Sequence, residues 1–182
     1  MRYRVEKISS NMKKILEATV SLMSSSPYEN ITIKDICKEA DVSRQTFYNY
    51  FKSKDEIFRV FFSEIATTQK IFSSSQTADY LFSEQYMLDL IHFFDEYSTI
   101  FLALYNQNIL WYLGKDMVSS HKKLIFSNIR DKYILDKRNY YYLYITLPSA
   151  YICLEWIKNG KKETKEELVS MMKYFQNFRI EK

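Results

Sequence analysis

Glycine and proline are scarce: the 182 residues contain 2 of each, where average usage gives roughly 13 and 9. Gly114 and Gly160 alone cannot build a dinucleotide fingerprint or a P-loop, which need clustered glycines for backbone to approach phosphate. An all-β sandwich or barrel needs turn residues at regular short intervals, and these are missing too. Cys37 and Cys153 form no spaced pair, so neither a disulfide framework nor a thiolate metal site is indicated; both read as buried thiols of a reducing cytoplasm. Only two histidines occur, and His92 and His121 lack a third ligand at useful spacing. The opening MRYRVEKISSNMKK has no apolar stretch of signal-peptide type. The uncharged run 139–154 is broken by Pro148 and is too short to span a membrane, so no membrane association is expected. No nucleophile stands beside a base at a recognisable spacing, and the chain reads as neither an enzyme nor a cofactor carrier.

What is present favours helices. Hydrophobic residues make up 47% and aromatic residues 17% of the chain, enough for a substantial core. Ile8, Met12, Ile15, Leu16, Thr19 and Met23 recur at helical spacing and predict an amphipathic helix over about 8–24. Thr32 with Asp35, Ser53 with Glu56 and Thr164 with Glu167 read as capping boxes that open further helices. The Ser-rich stretch 72–77 reads as a loop. Beyond it, helices are expected near 80–97, 99–107, 115–134, 140–158 and 165–179, with Asn159-Gly160 as a stop signal. The fold class is all-α: a three-helix N-terminal bundle over 1–52 and a helical body over 53–182.

The net charge of +4 concentrates in the first third, where residues 1–60 carry 11 basic and 8 acidic side chains. There, TIKDICKEADVSRQTFYNYFKSKD sets two short helices about a tight turn at Asp41-Val42. Ile33, Ile36, Cys37 and Ala40 face inward from the first, Phe47 and Phe51 from the second. Ser43 is a natural N-cap for a helix over 44–50. Its outer residues are Arg44, Gln45, Thr46, Tyr48, Asn49 and Tyr50, none of them acidic. This is helix-turn-helix geometry, although a plain surface helix pair shares the spacing. Arg pairs with guanine, Gln or Asn with adenine, and the Thr46 methyl suits thymine. Tyr48, Tyr50, Ser43, Thr32 and Lys54 reach phosphates, and the amides opening the helix at Ser53 form an anion site.

The segment from about Ile15 to Phe61 resembles the DNA-binding domain of the TetR family of bacterial transcriptional regulators. The resemblance rests on T-I-x-D-I from Thr32, A-x-V-S at Ala40–Ser43, and T-F-Y-x-Y-F-x-S-K-x-E-I from Thr46 to Ile57. The ending W-x-x-N-G at Trp156–Gly160, followed by T-x-x-E, looks like that of short members near the dihydroxyacetone-utilisation regulators. The resemblance implies a homodimer that binds a palindromic operator in double-stranded DNA, most simply a repressor released by a small-molecule effector. An activator or co-regulator whose body binds a protein partner is the alternative. It places base contacts on Lys34, Arg44, Gln45 and Thr46, and phosphate contacts on Thr32, Ser43, Tyr48, Tyr50 and Lys54. Asp41 departs from the family's usual Gly, but Asp tolerates left-handed backbone better than most residues.

In the body, Leu143, Leu147, Ala150, Tyr151 and Leu154 form an apolar stripe. The resemblance implies that this helix and the final one, with Leu168, Met171, Met172 and Phe175, pair with their twins across a dimer axis; the alternative is packing within one chain. Pro148 should kink the stripe's helix or lie at a bend. Phe93, Phe94, Tyr97, Phe101, Tyr105, Trp111 and Tyr112, with His92, His121, Asn106 and Gln107 as polar handles, wall either a ligand pocket or a plain core. No residue is assigned to a ligand, and no metal or cofactor is expected.

Overall fold

A computed structural model describes residues 9–68, 80, 83–110, 122, 125–126 and 129–177. Among these there are nine α-helices and no strand: α1 (Ser10–Met23), α2 (Ile33–Glu39), α3 (Arg44–Tyr48), α4 (Glu56–Thr68), α5 (Glu84–Glu96), α6 (Ser98–Asn106), α7 (Lys132–Asp136), α8 (Arg138–Lys158) and α9 (Lys165–Asn177). A 3-10 turn covers Tyr28–Asn30. The expected positions Ile8, Trp111, Tyr112 and His121 and the loop 72–77 lie outside the described residues.

The chain divides into two compact units. One comprises Met1–Phe72 and Thr99–Ser120, the other Ser73–Ser98 and His121–Lys182. This division does not follow the expected boundary after residue 52, because α4 and α6 belong with the N-terminal helices. The reason is apolar burial: Ile57, Phe58, Phe61 and Phe62 of α4 are buried, and the Phe62 and Phe101 rings stand 5.8 Å apart. Met12, Ile15, Leu16, Thr19 and Met23 of α1 are all buried, as their spacing predicts. Thr19 is satisfied by donating its hydroxyl to the Ile15 carbonyl at 2.7 Å.

With so few glycines, the helix ends are closed in an economical way. α2, α6 and α8 share one C-terminal motif, in which a residue with positive φ follows the cap and two amides fold back. At α6, Asn108 has φ +56°, and its N–H and that of Ile109 donate to Tyr105 and Leu104. At α8, Gly160 has φ +78°, with Gly160 and Lys161 donating to Ile157 and Trp156. At α2, Asp41 takes the same place with φ +50°.

In the second unit, α5 packs against α8 and α9. Tyr86, Met87, Leu90, Ile91, Phe93 and Phe94 of α5 are buried. Asp95 receives Lys161 at 2.5 Å and Lys165 at 2.6 Å. Burial pushes this carboxyl up, but the hydrogen bonds and charges of the two lysines outweigh that and hold it below its ordinary value. Lys173 pairs with Glu84. The α9 capping box is present, with Glu167 accepting from the Thr164 amide at 2.8 Å and the Thr164 hydroxyl accepting from the Glu167 amide at 3.2 Å.

Two expectations need correction here. The helix expected over 115–134 does not run through to 134: Asp131 N-caps the separate α7, its carboxylate accepting from the Ile134 amide at 3.0 Å. The expected dimer residues also divide. Leu143, Leu147, Tyr151 and Phe175 are exposed and Met171 is half-buried, but Leu154, Leu168 and Met172 are buried within this chain and cannot line a surface.

Candidate nucleic-acid interface

The helix-turn-helix is built from local hydrogen bonds three residues apart. The Thr32 hydroxyl accepts from the Asp35 amide at 3.2 Å, and the Asp35 carboxylate accepts from the Thr32 amide at 3.0 Å. These bonds, with Lys34 and Lys38 nearby, hold the Asp35 carboxyl below its ordinary value. α2 ends where Asp41 enters the left-handed region, with Asp41 and Val42 N–H donating to Lys38 and Cys37 at 3.3 and 3.0 Å. The reversal delivers Ser43 to the start of α3, where its Oγ accepts from the Thr46 amide at 2.9 Å.

Phe47 and Phe51 are fully buried, their ring centroids 5.5 Å apart, and so fix which side of α3 faces out. Arg44, Gln45 and Asn49 are exposed, as are Ser43 and Lys34. Thr46 is half-buried beside the Ser43 hydroxyl at 2.9 Å. Gln45 donates to Asn49 across one turn at 3.3 Å, which holds two amide side chains side by side. Tyr48 is 46% exposed with its ring edge-on to Phe47, and Tyr50 is half-buried beside Phe51. Cys37 lies underneath. Burial raises its thiol, and the charge of Arg44 offsets that in part. The face therefore offers donors and acceptors suited to base edges, with no carboxylate on α3 itself.

Two phosphate assignments and the anion site meet different partners. Thr32 donates both its hydroxyl, at 2.6 Å, and its amide to the Asp35 carboxylate, leaving neither hydrogen for a phosphate. The Lys54 ammonium donates to three carbonyls, Tyr28 at 2.7 Å, Glu29 at 2.9 Å and Ile31 at 2.9 Å. An ammonium has three hydrogens, so all are engaged. The capping box expected at Ser53 is displaced as well: α4 begins at Glu56, whose carboxylate accepts from the Lys52 amide at 2.8 Å. The Glu56 and Ile57 amides donate to Ser53 and Lys54, so the chain itself occupies the expected anion site.

Sequence reasoning missed Tyr28. Its phenol is buried and donates to the Lys54 carbonyl at 2.8 Å, and its amide donates to Gln107 at 3.1 Å. No periodic pattern includes Tyr28, and its partners lie 26 and 79 residues away, so no local signal marks it. Gln107, expected as a polar handle for a pocket or core, instead donates to the carbonyls of Met23, the last residue of α1, and of Ser26 beyond it.

These features define a helix-turn-helix regulator of DNA. The family model for bacterial regulatory proteins of the tetR family matches residues 15–60. The HTH-type dhaKLM operon transcriptional activator DhaS of Lactococcus lactis subsp. lactis (strain IL1403) is 31% identical over 160 residues, covering 79% of this chain and 75% of that protein. The chain belongs to the TetR family. A solved structure of a dihydroxyacetone kinase operon activator DhaS superposes with a TM-score of 0.52 at 20% identity, covering 91% of this chain and 93% of that one, and supports the fold. No helix among the described residues is long and apolar enough to cross a membrane.

Proposed function

We propose that this regulator acts as a homodimer that reads a two-fold symmetric operator by placing α3 in successive major grooves. The observation that carries this reading is the outer face of α3, where Arg44, Gln45 and Asn49 are exposed above a buried Phe47–Phe51 anchor. Arg44, Gln45 and Thr46 at its start read base edges, together with Lys34 of α2; Ser43, Tyr48 and Tyr50 contact phosphates. The second element of support is an apolar stripe on α8. Tyr140, Leu143, Tyr144, Leu147 and Tyr151 recur at helical spacing and are all exposed. A twin helix covers such a face well.

The sign of regulation we propose is activation. Sequence alone favours repression, but the 31% identical relative is a transcriptional activator by name. A protein partner for the body is a second reading. Phe93, Phe94 and Phe101, expected as possible pocket walls, are packed in the interior. An open cleft of about 320 Å³ lies instead on the outside of α7 and α8, lined by Tyr133, Ile134, Lys137, Tyr140, Tyr141 and Tyr144. Selection of bound duplexes from a random DNA pool tests the operator: a two-fold symmetric site is expected, and recovery of no preferred sequence contradicts the reading. Transcription in vitro from a promoter carrying that site tests the sign, with raised output expected and lowered output indicating a repressor.

A further inference from the structure

Three side chains from separate parts of the chain converge on the turn that leads into the helix-turn-helix. Lys54 enters from the turn just before α4 and ties the carbonyls of Tyr28, Glu29 and Ile31. Tyr28 answers by donating its phenol to the Lys54 carbonyl at 2.8 Å. The Lys54 ammonium also lies 4.8 Å from the centre of the Tyr28 ring, close enough for a cation–π contribution. From the end of α6, Gln107 accepts from the Tyr28 amide and donates to Met23 and Ser26. Ile31, buried at 4% exposure, precedes Thr32, the N-cap of α2. The clamped turn therefore sets where α2 begins, and α3 follows α2 through one fixed reversal.

We propose that Lys54, Tyr28 and Gln107 are positioning residues for DNA recognition: they act on the operator by fixing the Tyr28–Ile31 turn, and Lys54 is not a phosphate ligand. The proposal rests on the DNA-binding reading and goes beyond it. The energetic logic is asymmetric. Removing Lys54 takes a donor from three carbonyls; that of Tyr28 keeps the Ile31 amide, but that of Ile31, in a partly buried bond, is costly to leave unmet. A phosphate contact by Lys54 would require at least one of these three bonds to break.

Salt dependence separates a positioning role from a phosphate contact. Each phosphate neutralised adds about 0.9 to the slope of log affinity against log salt, whereas geometry leaves that slope alone. Operator and non-specific affinities are measured for the full-length wild type, Lys54→Met, Tyr28→Phe and Gln107→Leu, at a temperature where circular dichroism shows each folded. Each variant is expected to bind the operator about 3- to 10-fold more weakly. Non-specific binding and the salt slope are expected to stay at wild-type values. The double variant Lys54→Met with Tyr28→Phe should cost less than the product of the single effects, because both serve one junction. Wild-type affinity in Tyr28→Phe and Gln107→Leu, with a slope flattened by about 0.9 in Lys54→Met, overturns the proposal and makes Lys54 a phosphate ligand. If Lys54→Met fails to fold, Tyr28→Phe decides alone, since it removes one hydroxyl and no charge. If the wild type binds no selected duplex, the DNA reading fails. The clamp is then judged by coupling between Tyr28→Phe and Lys54→Arg in thermal melts, present if the clamp exists and absent if it does not.

Discussion

Asp41→Gly should make this protein more stable, although it removes a side chain. Asp41 holds φ at +50° while Asp41 and Val42 close the end of α2 on Lys38 and Cys37. The left-handed region costs an L-residue about 1–2 kcal/mol, somewhat less for Asp, and costs glycine almost nothing. Glycine also gives the unfolded chain more freedom, which takes back about 0.4–1 kcal/mol. The balance is a gain of about 0.5–1 kcal/mol, or roughly 1–4 °C in melting temperature for a chain of this length. A second effect is electrostatic. The exposed Asp41 carboxylate lies one turn from the start of α3. At about 10 Å in water a unit charge contributes roughly 0.4 kcal/mol, less after screening, so affinity for DNA should rise less than about two-fold. Differential scanning fluorimetry with denaturant titration checks the first effect. Asp41→Asn isolates the second, because Asn keeps the left-handed tolerance and loses the charge. A neutral or destabilised Asp41→Gly would refute the strain argument. Gly160→Ala is the converse control: φ is +78°, a Cβ there meets nothing within 4 Å, and the expected loss of about 1 kcal/mol is purely conformational.

Other expectations follow from the same geometry. Leu147→Asp puts a charge on the exposed α8 stripe and should shift sedimentation from dimer to monomer without lowering helix content; an unchanged dimer would place the interface elsewhere. The Asp35 carboxyl is depressed by its bonds from Thr32, so its contribution is fully present above its unfolded value and is lost as pH falls through the lower folded one. Denaturation midpoints should therefore decline below about pH 4, and Asp35→Ala should be less stable at neutral pH with a shallower acid decline. Tyr48→Phe should weaken binding to all duplexes alike, with the order of preference among sequences unchanged in a competition assay; a reordering would make Tyr48 a base contact.

The parts of the fold that can be read in advance are those made by neighbours in sequence. The boxes at Thr32–Asp35 and Thr164–Glu167 and the cap at Ser43 depend on partners three residues away, and all are present. Asp41 is legible for the same reason, since a left-handed residue is a local demand. Ser53 fails because Glu56 reaches back to Lys52 in place of a reciprocal box, which delays the start of α4. Lys54 and Gln107 fail for a different reason. Their partners are set by tertiary packing, across 23 to 26 residues for Lys54 and 79 to 84 for Gln107. The uncharged run 139–154 gives too little contrast to separate its sides, so buried Leu154 falls in one stripe with exposed Leu143 and Leu147. Leu168 and Met172 read as outward although α5 covers α9.

The most direct test concerns Arg44, which opens α3 and faces solvent. Binding of wild type and Arg44→Ala is measured against a panel in which every position of the selected operator is varied in turn. The account predicts a loss of about 1–3 kcal/mol on the intact operator and a flattened preference at one base pair in each half-site, with the others unchanged. Equal affinity of the two proteins for the intact operator, with the same preference at every position, would contradict α3 as the reading helix.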